Sequence, residues 1–154
     1  MKSPQMVVAE AAVAANDCDL KVAWFNCAGG LNAKIDNIKL ILSLHDFDIL
    51  FISEAEIRQT TNTSLFHIDN YDFFASGAFS LKGHSRSAVF IRSSLKYKLR
   101  VYSSEIISVE INDTLIIGVY RQFKLWPGET NEGELLKILE IVKTFPKADR
   151  KSVV

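Results

Sequence analysis

Residues 51–57 read FISEAEI, an apolar run that ends in two acids, Glu54 and Glu56. A strand that buries Ile49, Leu50, Phe51 and Ile52 gains no stability from a carboxylate at its end, so the acid calls for a chemical role. Two other side chains hold similar positions. Asn26 closes a β-prone run, Lys21 to Phe25, just before Cys27-Ala28-Gly29-Gly30; Tyr120, followed by Arg121, closes a later one. Layered α/β proteins place their ligands at strand carboxyl ends. A carboxylate and a carboxamide side by side there could hold a hard cation through oxygen ligands, with water completing the shell as Mg²⁺ prefers. A phenol nearby could stand against a phosphoryl oxygen. Each residue alone has a plainer reading. An Asn before glycines is usually a turn residue, a Glu after a strand a solvated terminus, and a Tyr the end of a packed strand. Glu56 fits the solvated reading best.

The elements that position these side chains follow from periodicity. Between 34 and 45, Ile35, Ile38, Ile41 and Leu42 share one helical stripe. Residues 48–53 form a near-continuous apolar strand, the pattern of a strand covered on both faces. Strand 21–25, helix 34–45 and strand 48–53 form a β-α-β unit whose strands lie parallel through a right-handed crossover. Asn26 and Glu54 then share one sheet edge, and Leu50 and Ile52 are expected buried near Val22 and Trp24. Strands follow at 71–79, 87–92 and 97–102. A hairpin joins 106–111 to 114–120 through Asn112-Asp113. A helix over 132–145 is stopped by Pro146, and Lys151-Ser-Val-Val154 reads as the start of a buried strand. This is a mixed α/β layered domain.

Composition narrows the class. A chain of 154 residues, 48% hydrophobic, with eighteen basic and eighteen acidic side chains can form one core and carries no net-charge signal for nucleic acid or membrane. Cys18 and Cys27 match neither a disulfide framework nor paired metal-ligand spacing, which implies a reduced, intracellular setting. Residues 1–19 are short in apolar length, interrupted by Glu10 and carry only Lys2 as a charged start, so they read as a loose, flexible or weakly helical leader rather than a signal peptide. No apolar run approaches a membrane span.

In order, WFNCAGGL, a helix, DILFISEAEI, an aromatic segment, SRSAVFIRSSLKYKL, a hairpin ending IIGVYRQF, and a helix leading to KSVV resemble the endonuclease/exonuclease/phosphatase superfamily. They are most similar to the endonuclease domain of non-LTR retrotransposons. The resemblance runs from Leu20 to Val154. It implies a partial four-layer α-β-β-α sandwich, with 20–154 as the amino-terminal part of the domain. It also implies Mg²⁺ or Mn²⁺ as cofactor, DNA as partner, a nuclear setting and phosphodiester hydrolysis that nicks DNA. By the same resemblance Glu54 is the metal ligand, although it follows Ser53 where the family usually has Gln. Asn26 is the active-site asparagine and Tyr120 the catalytic tyrosine, while Arg121 is a common neighbour. The sequence stops short of the family's Gly-Asp-x-Asn motif, its later aspartate and its terminal Ser-Asp-His, and His45, His67 and His84 do not stand in for them. These read as surface or capping histidines. A truncated gene copy or a partial gene model is the simplest account. The chain by itself is expected to be inactive, with one sheet face left open.

Three alternatives remain. A dinucleotide-binding module shares the strand-glycine-helix-acid order, but NCAGGLN lacks G-x-G-x-x-G spacing and hairpins follow where β-α units belong. A non-catalytic remnant or interaction fragment uses the same residues without turnover. Within the superfamily, the substrate could instead be abasic DNA, a phosphoinositide or sphingomyelin.

Overall fold

The computed structural model describes residues 6–12, 19–76, 84–101, 105–120 and 131–144. The β-α-β unit is β2 (Asp19–Asn26), α1 (Leu31–Leu44) and β3 (Ile49–Arg58). The two strands pair in parallel, with Trp24 opposite Phe51 and Asn26 opposite Ser53. α1 begins one turn earlier than its stripe predicts, because the Gly29-Gly30 turn delivers the chain straight into Leu31, which is fully buried. The helix ends at His45, whose extended backbone caps it.

β4 (Tyr71–Ala75) and β5 (His84–Arg92) complete a five-stranded sheet in the order β1-β2-β3-β5-β4. Its first strand, β1 (Met6–Ala12), pairs antiparallel with β2. For residues 6–12 this differs from the expected loose or weakly helical leader. The alanines of MVVAEAA favour helix locally, but the free edge of β2 offers a full row of backbone partners, and edge pairing overrides the local preference. β6 (Tyr97–Val101), β7 (Ile106–Ile111) and β8 (Thr114–Val119) form a second, antiparallel sheet. The hairpin between β7 and β8 turns at Asn112, which adopts φ +54°, a left-handed conformation that Asn tolerates.

The strands' alternation builds three cores. Leu50 and Ile52 are buried on the α1 side with Ala23, Phe25, Leu31, Ile38 and Leu42. Ile49 and Phe51 face the second sheet with Leu20, Val22, Ile107, Val109 and Ile116, and Trp24 packs against that cluster. Val22 and Trp24 therefore neighbour the odd-numbered residues of β3, not Leu50 and Ile52, because parallel register places Val22 opposite Ile49. On the outer side of the second sheet, Ile106, Leu115 and Ile117 pack on Ile141 of α2 (Asn131–Thr144). The layers are α-β-β-α. The inner face of the first sheet, expected to lie open, is covered by β6–β8: Val22, Ile49, Val89 and Ile91 are each 0% exposed. The sequence-predicted strand at 151–154 lies outside the described residues, as do Arg121 and the Pro127-Gly128 loop.

Candidate active site

The site is assembled at the carboxyl edge of β2 and β3. β2 ends in an Asx-type turn in which the Asn26 Oδ1 accepts from the Ala28 N–H at 2.8 Å. The Cys27 N–H continues the parallel ladder to the Ser53 carbonyl at 2.9 Å. The Ala28 N–H, bonded to Oδ1, fixes which way the Asn26 amide faces. Asn26 Nδ2 is left to donate to Glu54 Oε1, at 3.2 Å. Asn26 thus presents its NH₂ group to the carboxylate, and it orients Glu54 rather than joining it as an oxygen ligand.

β3 does not stop at Ser53, as its apolar run implied. It continues to Arg58 through an irregularity in which Ser53 pairs with Ser87 but Ile57 pairs with Ser85, so Glu54, Ala55 and Glu56 of β3 lie against the single residue Arg86 of β5. Within it, Glu54 (φ +52°) and Glu56 (φ +50°) are both left-handed, alternating with buried Ala55. Non-glycine residues held there cost about 1–3 kcal/mol each and collect at functional sites. Bulges re-aim side chains beside active sites, and here Glu54 reaches both its neighbouring strand and the second sheet. Gly30 backs onto the bulge, where a Cβ would meet the Ala55 carbonyl at an ordinary 3.6 Å; its φ of +115°, and not the space, is what favours glycine.

Tyr120 follows directly after β8. Its backbone N–H donates to the Glu105 carbonyl at 2.8 Å, and its phenol donates to Glu54 Oε1 at 3.2 Å. Burial, then the charge and hydrogen bond of Glu54, push the phenol up to about 12, with the Arg86 guanidinium acting in the opposite direction. At neutral pH Tyr120 is therefore a proton donor, not a phenolate. The three residues singled out in the sequence, Asn26, Glu54 and Tyr120, meet on one oxygen. Both bonds land on Oε1, and among the described residues none lands on Oε2.

Two residues read as bland in the sequence belong to this edge. Glu56 is not a solvated terminus. It is half-buried and its Oε2 bonds His84 Nδ1, while His84 Nε2 accepts from Arg58 Nε at 3.1 Å. His84, read as a turn residue, opens β5. The only sequence signal for this pair was the i+2 spacing of Glu54 and Glu56; their link to residue 84 depends on strand order. The other histidines behave differently: His45 caps α1 and stacks on Phe47, and His67 pairs with Asp69 at the surface. A separate cavity of about 550 Å³, lined by Asp46, His67, Tyr71 and Arg92 among others, lies at the opposite, amino end of β3. Arg92 is engaged there by Asp48, Asp46, the Phe47 carbonyl and the Tyr71 hydroxyl.

Among the described residues no group of three or more His, Cys, Asp or Glu side chains forms a metal cage. The donors fit a loosely held cation instead: one monodentate carboxylate oxygen, Glu54 Oε2, with water in the remaining positions, the arrangement Mg²⁺ tolerates. Among the described residues no helix is long and apolar enough to cross a membrane.

No protein-family profile and no curated sequence matches the chain. Solved structures do. The endonuclease domain of TRAS1, a telomere-specific non-LTR retrotransposon, superposes with a TM-score of 0.59 at 13% identity, over 84% of this chain and 57% of that one. An AP endonuclease from Archaeoglobus fulgidus gives 0.55 at 18% identity, over 82% and 50%. A humanized TDP2 of D. rerio gives 0.54 at 16% identity, over 84% and 58%. The chain spans about half the length of the structures it matches. Identities this low speak to architecture, and the architecture agrees with the resemblance carried by the strand-end residues: this chain has the fold of the endonuclease/exonuclease/phosphatase superfamily.

Proposed function

We propose that Asn26, Glu54 and Tyr120 form the metal-binding half of a phosphodiesterase site that acts on DNA, of the retrotransposon endonuclease type. The observation that carries this reading is the convergence of the Asn26 amide and the Tyr120 phenol on one oxygen of a carboxylate held on a left-handed backbone. Stored strain of this kind, paired with an oriented carboxylate, supports a functional site over a plain strand end. Glu54 would hold Mg²⁺ or Mn²⁺ through Oε2, and the bound ion would neutralise charge developing on the phosphoryl and leaving oxygens. Asn26 fixes the carboxylate's rotation. Tyr120, kept protonated, donates to Glu54 and is available to donate to a phosphoryl oxygen. Residues 20–154 correspond in this reading to the amino-terminal part of the family's domain.

The sequence holds no counterpart of the family's Gly-Asp-x-Asn or Ser-Asp-His groups, which by the resemblance orient water and polarise phosphate. Losing one electrostatic element costs about 10²–10³-fold in rate, and losing several that act together leaves little beyond binding. The 154-residue chain is accordingly expected to bind metal weakly and to leave plasmid DNA intact. Mn²⁺ binding followed by electron paramagnetic resonance tests the reading. Glu54→Gln should abolish it, and Glu56→Gln, whose carboxylate is engaged by His84, should change it little. Equal Mn²⁺ binding by Glu54→Gln and the parent chain would sink the proposal, and so would metal-dependent nicking by the parent chain that survives Glu54→Gln.

A further inference from the structure

Among the described residues, Arg86 is the one charged side chain that is buried: it is 5% exposed. Its Nε is buried without a hydrogen-bond partner, and among the described residues no carboxylate forms an ion pair with it. A guanidinium carries five donors and cannot shed its proton, so an unpaired buried one is strongly unfavourable unless something anionic meets it. Arg92 shows what a structural arginine looks like in this fold, with acceptors on both Nε and its terminal nitrogen.

Arg86 also occupies an informative place. It sits on β5 between Ser87, which pairs with Ser53, and Ser85, which pairs with Ile57. That puts it opposite the irregular stretch Glu54–Glu56, whose two acids are left-handed, and near enough to Tyr120 for its charge to act on the phenol. Two more buried donors without partners flank it, the hydroxyls of Ser53 and Ser87. The strand neighbours of Arg86 at this edge thus also carry buried polar groups without protein partners. Buried polar groups in folded proteins are overwhelmingly paired, and exceptions of this kind mark a missing ligand or water.

We propose that Arg86 is a phosphate-binding residue, and that its guanidinium takes a non-bridging oxygen of a nucleic-acid phosphodiester at the Glu54 edge. The chemistry matches: the planar fork of an arginine suits the tetrahedral oxygens of a phosphoryl group better than any other side chain does. The proposal rests on the Glu54 edge being the face that meets substrate. It assigns the recognition of the anion to a residue other than the metal ligand, and it therefore holds without metal.

The test is the affinity of the 154-residue chain for a short single-stranded oligodeoxynucleotide in EDTA, measured by fluorescence anisotropy. The controls are an uncharged methylphosphonate version of the same oligonucleotide and thermal melts of each variant. Arg86→Met should weaken phosphodiester binding roughly tenfold to hundredfold, the usual worth of a charge-assisted hydrogen bond. It should leave the methylphosphonate's weak binding unchanged. Arg86→Lys, which keeps the charge but loses the fork, should fall between them. Because an unpaired buried charge is removed, Arg86→Met should melt no lower than the parent. Unchanged affinity in Arg86→Met overturns the proposal, as does an equal loss with the methylphosphonate or no binding by the parent chain in EDTA. A Met variant that fails to fold overturns it too, since Arg86 would then be a structural partner of Glu54 and Glu56. Mn²⁺ binding by Arg86→Met separates this idea from the metal reading. Retained binding with normal oligonucleotide affinity would sink Arg86 alone, whereas no Mn²⁺ binding by any chain with an Arg86-dependent affinity would sink the metal role and leave Arg86 standing.

Discussion

At Gly118 the second sheet leaves no room for a side chain against Phe51 of the first, and substituting it links fold to site in one measurement. A Cβ at Gly118 would lie 2.2 Å from Phe51 Cδ1, 2.5 Å from Cε1 and 2.8 Å from Cγ. Ordinary contact begins near 3.4 Å, so the ring would have to retreat by about an ångström. It has nowhere to go: Phe51 is 3% exposed and packed in the cluster of Val22, Val89, Ile107 and Ile116. The clash includes Cγ, so rotating the ring about its own axis does not relieve it. Overpacking of this kind costs about 1–3 kcal/mol, and a contact at the root of a ring belongs at the upper end. Gly118→Ala should therefore lower the urea midpoint by an amount equivalent to about 3 kcal/mol, with an unchanged slope. Phe51 lies three residues before Glu54 and Gly118 two before Tyr120. Spreading the sheets should lengthen the 3.2 Å bond between them and bring the Tyr120 phenol down from about 12 toward its ordinary 10.0. Phe51→Leu in the same chain should recover part of the loss, giving a coupling of about 1 kcal/mol or more. An unchanged midpoint for Gly118→Ala, or strict additivity with Phe51→Leu, would refute the reasoning.

Other outcomes follow from single sites. Tyr97 is raised to about 12 by burial and by its 2.6 Å bond to Asp72, and Tyr120 to about 12 by burial and Glu54. Both folded values exceed the ordinary 10.0, so the folded chain keeps protons that the unfolded chain loses. Their stabilisation is complete below about pH 10 and is lost as pH rises toward 12; urea midpoints that stay level across that window would contradict it. The Cys27 thiol, pushed up to about 12 chiefly by burial, should resist iodoacetamide in the native chain and react once unfolded, as peptide mass spectrometry would read. Arg92→Met removes donors to Asp48, the Phe47 carbonyl and the Tyr71 hydroxyl. It should cost about 1.5–3 kcal/mol in urea unfolding while leaving Mn²⁺ binding at the far end of β3 intact.

The alternation and stripe of residues 20–54 were enough to place Asn26 and Glu54 at one sheet edge, because parallel pairing through a short helix leaves little freedom of register. The Asn112-Asp113 turn was equally legible, since it needs a residue that tolerates positive φ. Residues 6–12 were not, because an alanine-rich segment takes the strand form only when a sheet edge is there to pair with. Nor could parity along β3 be carried past Ser53. The count of two that puts Leu50 and Ile52 on the helix side fails at the bulge, and no residue in SEAEI is a glycine that would announce left-handed backbone.

The order of the residues and the family resemblance it carries were therefore what singled out one carboxylate, one carboxamide and one phenol, each alone having a plainer reading, and the structure brings these three to one sheet edge. Which oxygen they share, which way Asn26 faces, and that Glu56 turns to His84 were decided by tertiary structure. Arg86 shows the reason most plainly. In SRSAVFIR it is one polar residue at the head of an apolar run, and the run does not say what lies across from it. It is buried because the bulge of a different strand, thirty residues earlier in the chain, lies across from it. Burial, and with it the energetic need for a partner, belongs to the packing of distant segments, which local sequence does not encode.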